Sequence, residues 1–145
     1  MDWKKEAVEK LRIYEAKKTS LGRCREELQR LRDEAVQVRS AASDAVPVKG
    51  GASTREDKLI SNIVKRQELR LAVKIAASWV RTVEGGLNVL SAEERLILDR
   101  FYIRPAKGNV DRLCQELGLE KSRVYELKDK ALHHFTIALY GVTET

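Results

Sequence analysis

Two stretches of this chain repeat apolar residues at a spacing that an α-helix turns to one side, and each repeat outlasts an ordinary globular helix. Across residues 2–39 one heptad position holds Ala7, Tyr14, Leu21, Leu28 and Ala35, and another holds Trp3, Lys10, Lys17, Cys24, Leu31 and Val38. Residues three and four apart share a helix face, so the segment reads as one long amphipathic helix with a coiled-coil-like stripe. Two lysines interrupt the stripe, with Leu11 beside the first. Residues 55–90 repeat the pattern, with Leu59, Arg66, Val73, Val80 and Leu87 at one position and Asn62, Leu69, Ala76, Val83 and Leu90 at the other. Asn62 and Arg66 read as a solvated edge of this second seam, the alternative being a buried polar group that sets register or oligomer state. The pair Gly85–Gly86 should weaken the helix by about 1 kcal/mol per glycine and suggests a bend or hinge.

Between these segments lies SAASDAVPVKGGAST, residues 40–54. Small residues, Pro47 and the pair Gly50–Gly51 predict a flexible loop, with Thr54 as N-cap of the second helix and Asp57 in its first turn. Two similar helices joined by a loop suggest a long antiparallel helical hairpin. Each helix alone exposes an apolar stripe. The partner is the other helix, a second copy of the hairpin or another protein, and a homo-oligomer through the N-terminal helices is the expectation.

Composition agrees with an all-α class. The chain has 145 residues, two prolines and eight glycines, and no alternating strand-like run. No apolar run approaches bilayer length, and the opening MDWKKEAVEK is too charged for a secretory segment, so a cytoplasmic protein without a membrane partner is expected. Cys24 and Cys114 read as two separate thiols rather than a disulfide. The net charge of +6 favours a nucleic-acid partner, but its distribution is uneven. Residues 1–90 carry nineteen basic and thirteen acidic groups, whereas residues 91–145 carry nine of each.

The C-terminal part, residues 91–145, has its own punctuation. S-A-E-E sets Glu94 three residues after Ser91, a capping box that opens a helix over 92–103 with Leu96, Ile97, Phe101 and Tyr102 as its apolar set. Pro105 and Gly108 mark a loop. Asn109 can cap a short helix over 110–117, and Gly118 suits the left-handed residue that ends it. A last helix over 121–140 places Val124, Leu127, Ala131, Leu132 and Phe135 on one face, to pack against Leu113, Leu117 and the Leu96–Ile97 helix. Short helix, glycine turn and longer helix form the layout of a helix-turn-helix, whose second helix enters the DNA major groove.

If Val124 and Leu127 face inward, the first turns of the last helix present Lys121, Ser122, Tyr125 and Glu126 for base readout. Lysine can reach guanine O6 and N7, glutamate can accept from cytosine N4, and the tyrosine ring can pack on a thymine methyl. Lys107, Asn109, Arg112, Arg123, Lys128 and Lys130 are the candidates for phosphate contacts. Glu126 and Asp129 oppose non-specific attraction to phosphates. The adjacent His133 and His134 point in different directions on a helix and lack partners at ligand spacing, so no metal and no cofactor is expected. There is no Ser-His-Asp order, no carboxylate pair and no phosphate-binding glycine loop, so the chain does not read as an enzyme.

The segment LSAEERLIL, the following FY and above all LCQELGLEKSRVYELKDKAL resemble region 4 of sigma-70-type factors. Region 4 is a helix-turn-helix that reads the −35 promoter element. The resemblance puts its base-reading positions on Lys121, Ser122, Tyr125 and Glu126. The whole chain, through MDWK, PVKGG, REDKL and EERLILDRFY, is similar to small phage-encoded regulators of the ArpU and RinA type. Here Glu120 stands where region 4 usually has Ser or Thr, and Tyr125, Glu126 and Asp129 replace some of its usual basic residues. The resemblance implies an activator of phage late genes, bound to promoter DNA in the bacterial host cell with host RNA polymerase as a second partner. Alternatives are a small-terminase-like packaging protein and a polymerase-binding adaptor that reads no bases.

Overall fold

The computed structural model describes residues 1–44 and 51–143. Among them every regular element is helical and there is no strand. Helices α1 (Trp3–Asp44) and α2 (Gly51–Asn88) are long. Helices α3 (Ala92–Leu98), α4 (Asn109–Leu117) and α5 (Lys121–Tyr140) follow, with a π-helical turn over Asp99–Ile103 directly after α3. No helix among the described residues is long and apolar enough to cross a membrane.

The expected loop over 40–54 is shorter than the sequence suggests. Helix α1 continues through residues 40–44 and α2 already starts at Gly51; of the residues there, the alanines at 41, 42 and 52 favour a helix. Thr54 is therefore inside α2 rather than its N-cap. Pro47 and Gly50 lie outside the described residues.

The chain divides into two compact units, Met1–Lys18 with Ser78–Thr145, and Thr19–Ala77. This division does not fall at residue 90, because the first turns of α1 pack with residues that follow Ser78. Trp3 meets Tyr140 with ring centroids 4.9 Å apart. The lysines that interrupt the first stripe are used here as cations over aromatic rings. Lys10 Nζ lies 5.8 Å from the Tyr140 ring centre and Lys17 Nζ 5.6 Å from that of Trp79. Such a lysine lays its apolar stem along the seam while its charge rests on a π-face.

Ala7, Leu11, Val83, Ile97, Leu98, Leu113, Val124 and Phe135 are fully buried in this unit. Tyr14 is buried beside them, and its hydroxyl hydrogen-bonds Glu84. Burial, then the Glu84 hydrogen bond and charge, push the phenol up to about 12. The expected hinge at Gly85–Gly86 is not found, since α2 runs on to Asn88. Gly86 is instead a point of close approach: a Cβ there would sit 3.0 Å from both Leu139 Cδ2 and Phe135 Cε2.

In the second unit, Leu21, Leu28 and Ala35 of one heptad position of α1 and Leu31 of the other are buried. Asn62 is also buried, at 4% exposure, and is not a solvated edge. Its Nδ2 donates to the Leu31 carbonyl at 2.8 Å, and its Oδ1 accepts from Arg66 Nε at 2.7 Å. A buried amide whose partners sit at fixed places favours one alignment of the two helices over its neighbours.

Candidate nucleic-acid interface

The C-terminal surface rests on a small apolar centre. Ile97 of α3, Leu113 of α4 and Val124 of α5 are fully buried against one another, with Leu96, Phe101, Val110, Cys114, Leu117, Leu119 and Leu127 around them. Helix α3 starts from a full capping box: the Ser91 hydroxyl accepts from the Glu94 amide at 3.1 Å, and the Ser91 amide donates to Glu94 Oε1 at 3.2 Å. Glu94 Oε2 lies 2.6 Å from His134 Nδ1 of α5. Burial works to raise the Glu94 carboxyl, but the His134 and Ser91 hydrogen bonds outweigh it and hold the group below the usual carboxylate range.

The α-helix expected over 92–103 changes at Asp99 into the π-helical turn, in which the Arg104 amide donates to the Asp99 carbonyl at 2.7 Å. The wider turn leaves carbonyls for a side chain to meet, and Asn109 does so. Its Nδ2 donates to the Arg100 carbonyl at 2.6 Å, with a longer approach of 3.5 Å to that of Arg104. Two expectations for Asn109 are thereby corrected. It is the first residue of α4 rather than its cap, which is Gly108 with φ 80°. It is also only 8% exposed with its amide nitrogen occupied, so it is not available to a phosphate.

Helix α4 ends at Gly118, where φ is 66° and ψ 34°, a left-handed conformation that costs glycine little. Its amide and that of Leu119 both donate to the Cys114 carbonyl. Glu120 caps α5 with extended backbone and without a side-chain hydrogen bond, which leaves the first turn of α5 held by packing at Val124. Once Val124 is buried, the helical period decides which residues face out. Lys121, Ser122, Arg123, Tyr125, Glu126, Asp129 and Lys130 are all exposed, as are Lys107 and Arg112 nearby.

Exposure does not make these residues equivalent. Arg123 pairs with Glu126 at 3.0 Å, one turn on, so one phosphate candidate and one readout candidate are bonded to each other. Lys128 is largely covered. Its Nζ lies 3.0 Å from Asp129 Oδ1, 5.6 Å from the centre of the Phe101 ring and 5.7 Å from that of Tyr125. Burial opposes its charge, but the Asp129 carboxylate and the Tyr102 hydroxyl more than offset that and raise its pKa. Tyr125 meets Phe101 edge-on at 5.7 Å and remains 40% exposed. Its ring is thus propped from behind. Lys121 lines a cleft with Arg100, Phe101, Pro105, Asn109 and Asp111.

The sequence did not point to Arg100 at this cleft, where it pairs with Glu116 at 3.2 Å. No motif signals that contact, because the π-helical turn that aims Arg100 has no residue signature of its own. Among the described residues no cluster of His, Cys, Asp or Glu is arranged to hold a metal ion. No known family model matches the chain, and neither does a curated protein or a solved structure.

Proposed function

We propose that the protein is a sequence-specific DNA-binding transcriptional regulator, built as an antiparallel helical hairpin followed by a sigma region-4-like helix-turn-helix. In this reading α4, the Gly118 turn and α5 are the helix-turn-helix, and α5 enters the major groove with Lys121, Ser122, Tyr125 and Glu126 toward base edges. Lys107, Arg112, Arg123, Lys128 and Lys130 remain the phosphate candidates; Asn109 drops out. The resemblance to phage regulators extends the reading to activation of late genes together with host RNA polymerase. The chain acts without a cofactor and is not an enzyme.

The observation that carries the reading is the first two turns of α5. Val124 is fully buried while Lys121, Ser122, Tyr125 and Glu126 are exposed, the division that a helix docked by one side and read from the other requires. A second reading, a polymerase-binding adaptor that touches no bases, is favoured by the pairing of Arg123 with Glu126 and Lys128 with Asp129, which spends cationic charge within the helix.

Binding to fragments tiling the genome that encodes the protein, with competitor DNA and a salt series, separates the two. DNA readout requires a protected site, a linear fall of log affinity with log salt, and a loss of about 1–3 kcal/mol at one base pair for Lys121→Ala or Tyr125→Ala. Lys130→Ala should weaken all sequences alike. Equal losses on specific and random DNA for Tyr125→Ala refute base readout, and absence of any salt-sensitive DNA affinity favours the adaptor.

A further inference from the structure

Helix α2 is apolar on two sides. One side is the seam that contains Asn62, Val73 and Val80. At about 100° per residue, Ile60, Val64, Leu71 and Ile75 fall within an arc of about 60° on the opposite side. These four are 60%, 46%, 60% and 62% exposed, and Ile63 beside them is 38% exposed. The stripe is about 22 Å long at 1.5 Å per residue. Isolated exposed apolar residues need no explanation, but an aligned row over four turns marks a contact surface. All five residues lie in the Thr19–Ala77 unit.

The charges around the stripe indicate what covers it. On the outward side of α1 some charges are satisfied along the same helix: Arg30 pairs with Glu27 and Glu34, and Arg12 with Glu9. Around the stripe of α2 the charges are separated by end. Glu56 and Asp57 stand before Ile60, whereas Arg70 and Lys74 stand beside Leu71 and Ile75, and all four are exposed. Among the described residues none of these four forms an ion pair within the chain. The acid nearest the middle, Glu68, lies one turn from Lys65 of the same helix.

We propose that this face of α2 binds the same face of a second copy, antiparallel, about a two-fold axis level with residues 65–66, which sets Ile60 opposite Leu71 and Asp57 opposite Lys74. A two-fold contact is self-complementary: if one residue meets another across the axis, the reverse contact forms too. Ile60 then meets the Leu71–Ile75 end of the partner helix, and Val64 lies near the axis. The acidic end of each stripe meets the cationic end of the other, twice. A parallel arrangement would put Glu56 and Asp57 against their own copies. The dimer stands independently of the DNA reading, since neither the stripe nor its charges include a residue of α4 or α5.

The test is sedimentation equilibrium on the full chain without DNA, with helicity by circular dichroism as a folding control. Wild type should be a dimer, and Leu71→Glu should raise the dissociation constant by about tenfold or more at unchanged helicity. Reversing the cationic end with Arg70→Glu and Lys74→Glu should weaken the dimer, and adding Glu56→Lys with Asp57→Lys should restore it. A wild-type monomer throughout the concentration range, a ring of many copies, or a dimer indifferent to Leu71→Glu would overturn the proposal. So would failure of the second charge reversal to rescue the first, which would indicate a different register or a different partner.

Discussion

Gly85 and Gly86 are neighbours in the same helix, yet the structure requires alanine to act in opposite directions at the two positions. A glycine-to-alanine change in a helix stabilises by about 0.5–1 kcal/mol, because the unfolded chain has less freedom to lose. At Gly85 an added Cβ has nothing within 4 Å, so that gain should appear in full. At Gly86 the same atom meets Leu139 Cδ2 and Phe135 Cε2 at 3.0 Å and Phe135 Cδ2 at 3.3 Å, short of the roughly 3.5–4.0 Å at which carbons attract. Leu139 is half-buried and can turn aside, but the Phe135 ring is fully buried and has no room to retreat. Overpacking of this kind costs about 1–3 kcal/mol, which leaves Gly86→Ala destabilised by roughly 0–2 kcal/mol after the helix gain. The two variants should therefore differ by about 1–3 kcal/mol, or several degrees in Tm at about 2–4 °C per kcal/mol. Urea and thermal unfolding followed by circular dichroism provide the measurement. If Gly86→Ala is stabilised as much as Gly85→Ala, the contact between α2 and Phe135 is not as close as described, and the explanation for a glycine there fails.

Two further outcomes follow from the C-terminal helices. The Glu94 carboxyl is held below its ordinary value in the folded state, so its contribution to stability is complete above the unfolded pKa and is lost as pH falls through the folded one. Glu94→Gln should lower Tm at neutral pH, and the gap to wild type should close on acidification below the ordinary carboxylate range; a gap that stays constant with pH would contradict the ionic role. Asn109→Ala removes the donor to the Arg100 carbonyl and should cost about 1–3 kcal/mol in urea unfolding, whereas a purely DNA-contacting Asn109 would leave stability unchanged and lower affinity.

Much of this protein was legible in its sequence because helical periodicity is a local property. The heptad position holding Ala7, Tyr14, Leu21, Leu28 and Ala35 is buried at every one of those residues. The Ser91 capping box, the left-handed Gly118 and the inward Val124 likewise follow from residue types at fixed offsets, and with Val124 fixed the exposed face of α5 follows from the 3.6-residue turn. Tertiary structure decided whatever depends on residues far apart in sequence. Lys10 and Lys17 look like defects in a stripe until Tyr140 and Trp79 come beneath them. Asn62 looks like a wet edge until the Leu31 carbonyl and Arg66 take up its amide. Gly86 looks like a hinge until Phe135 comes within contact distance, and Asn109 looks like a cap until the π-helical turn offers it the Arg100 carbonyl. In each case the local pattern records only that a residue is polar or small, and the partner that gives the residue its role is brought to it by the fold.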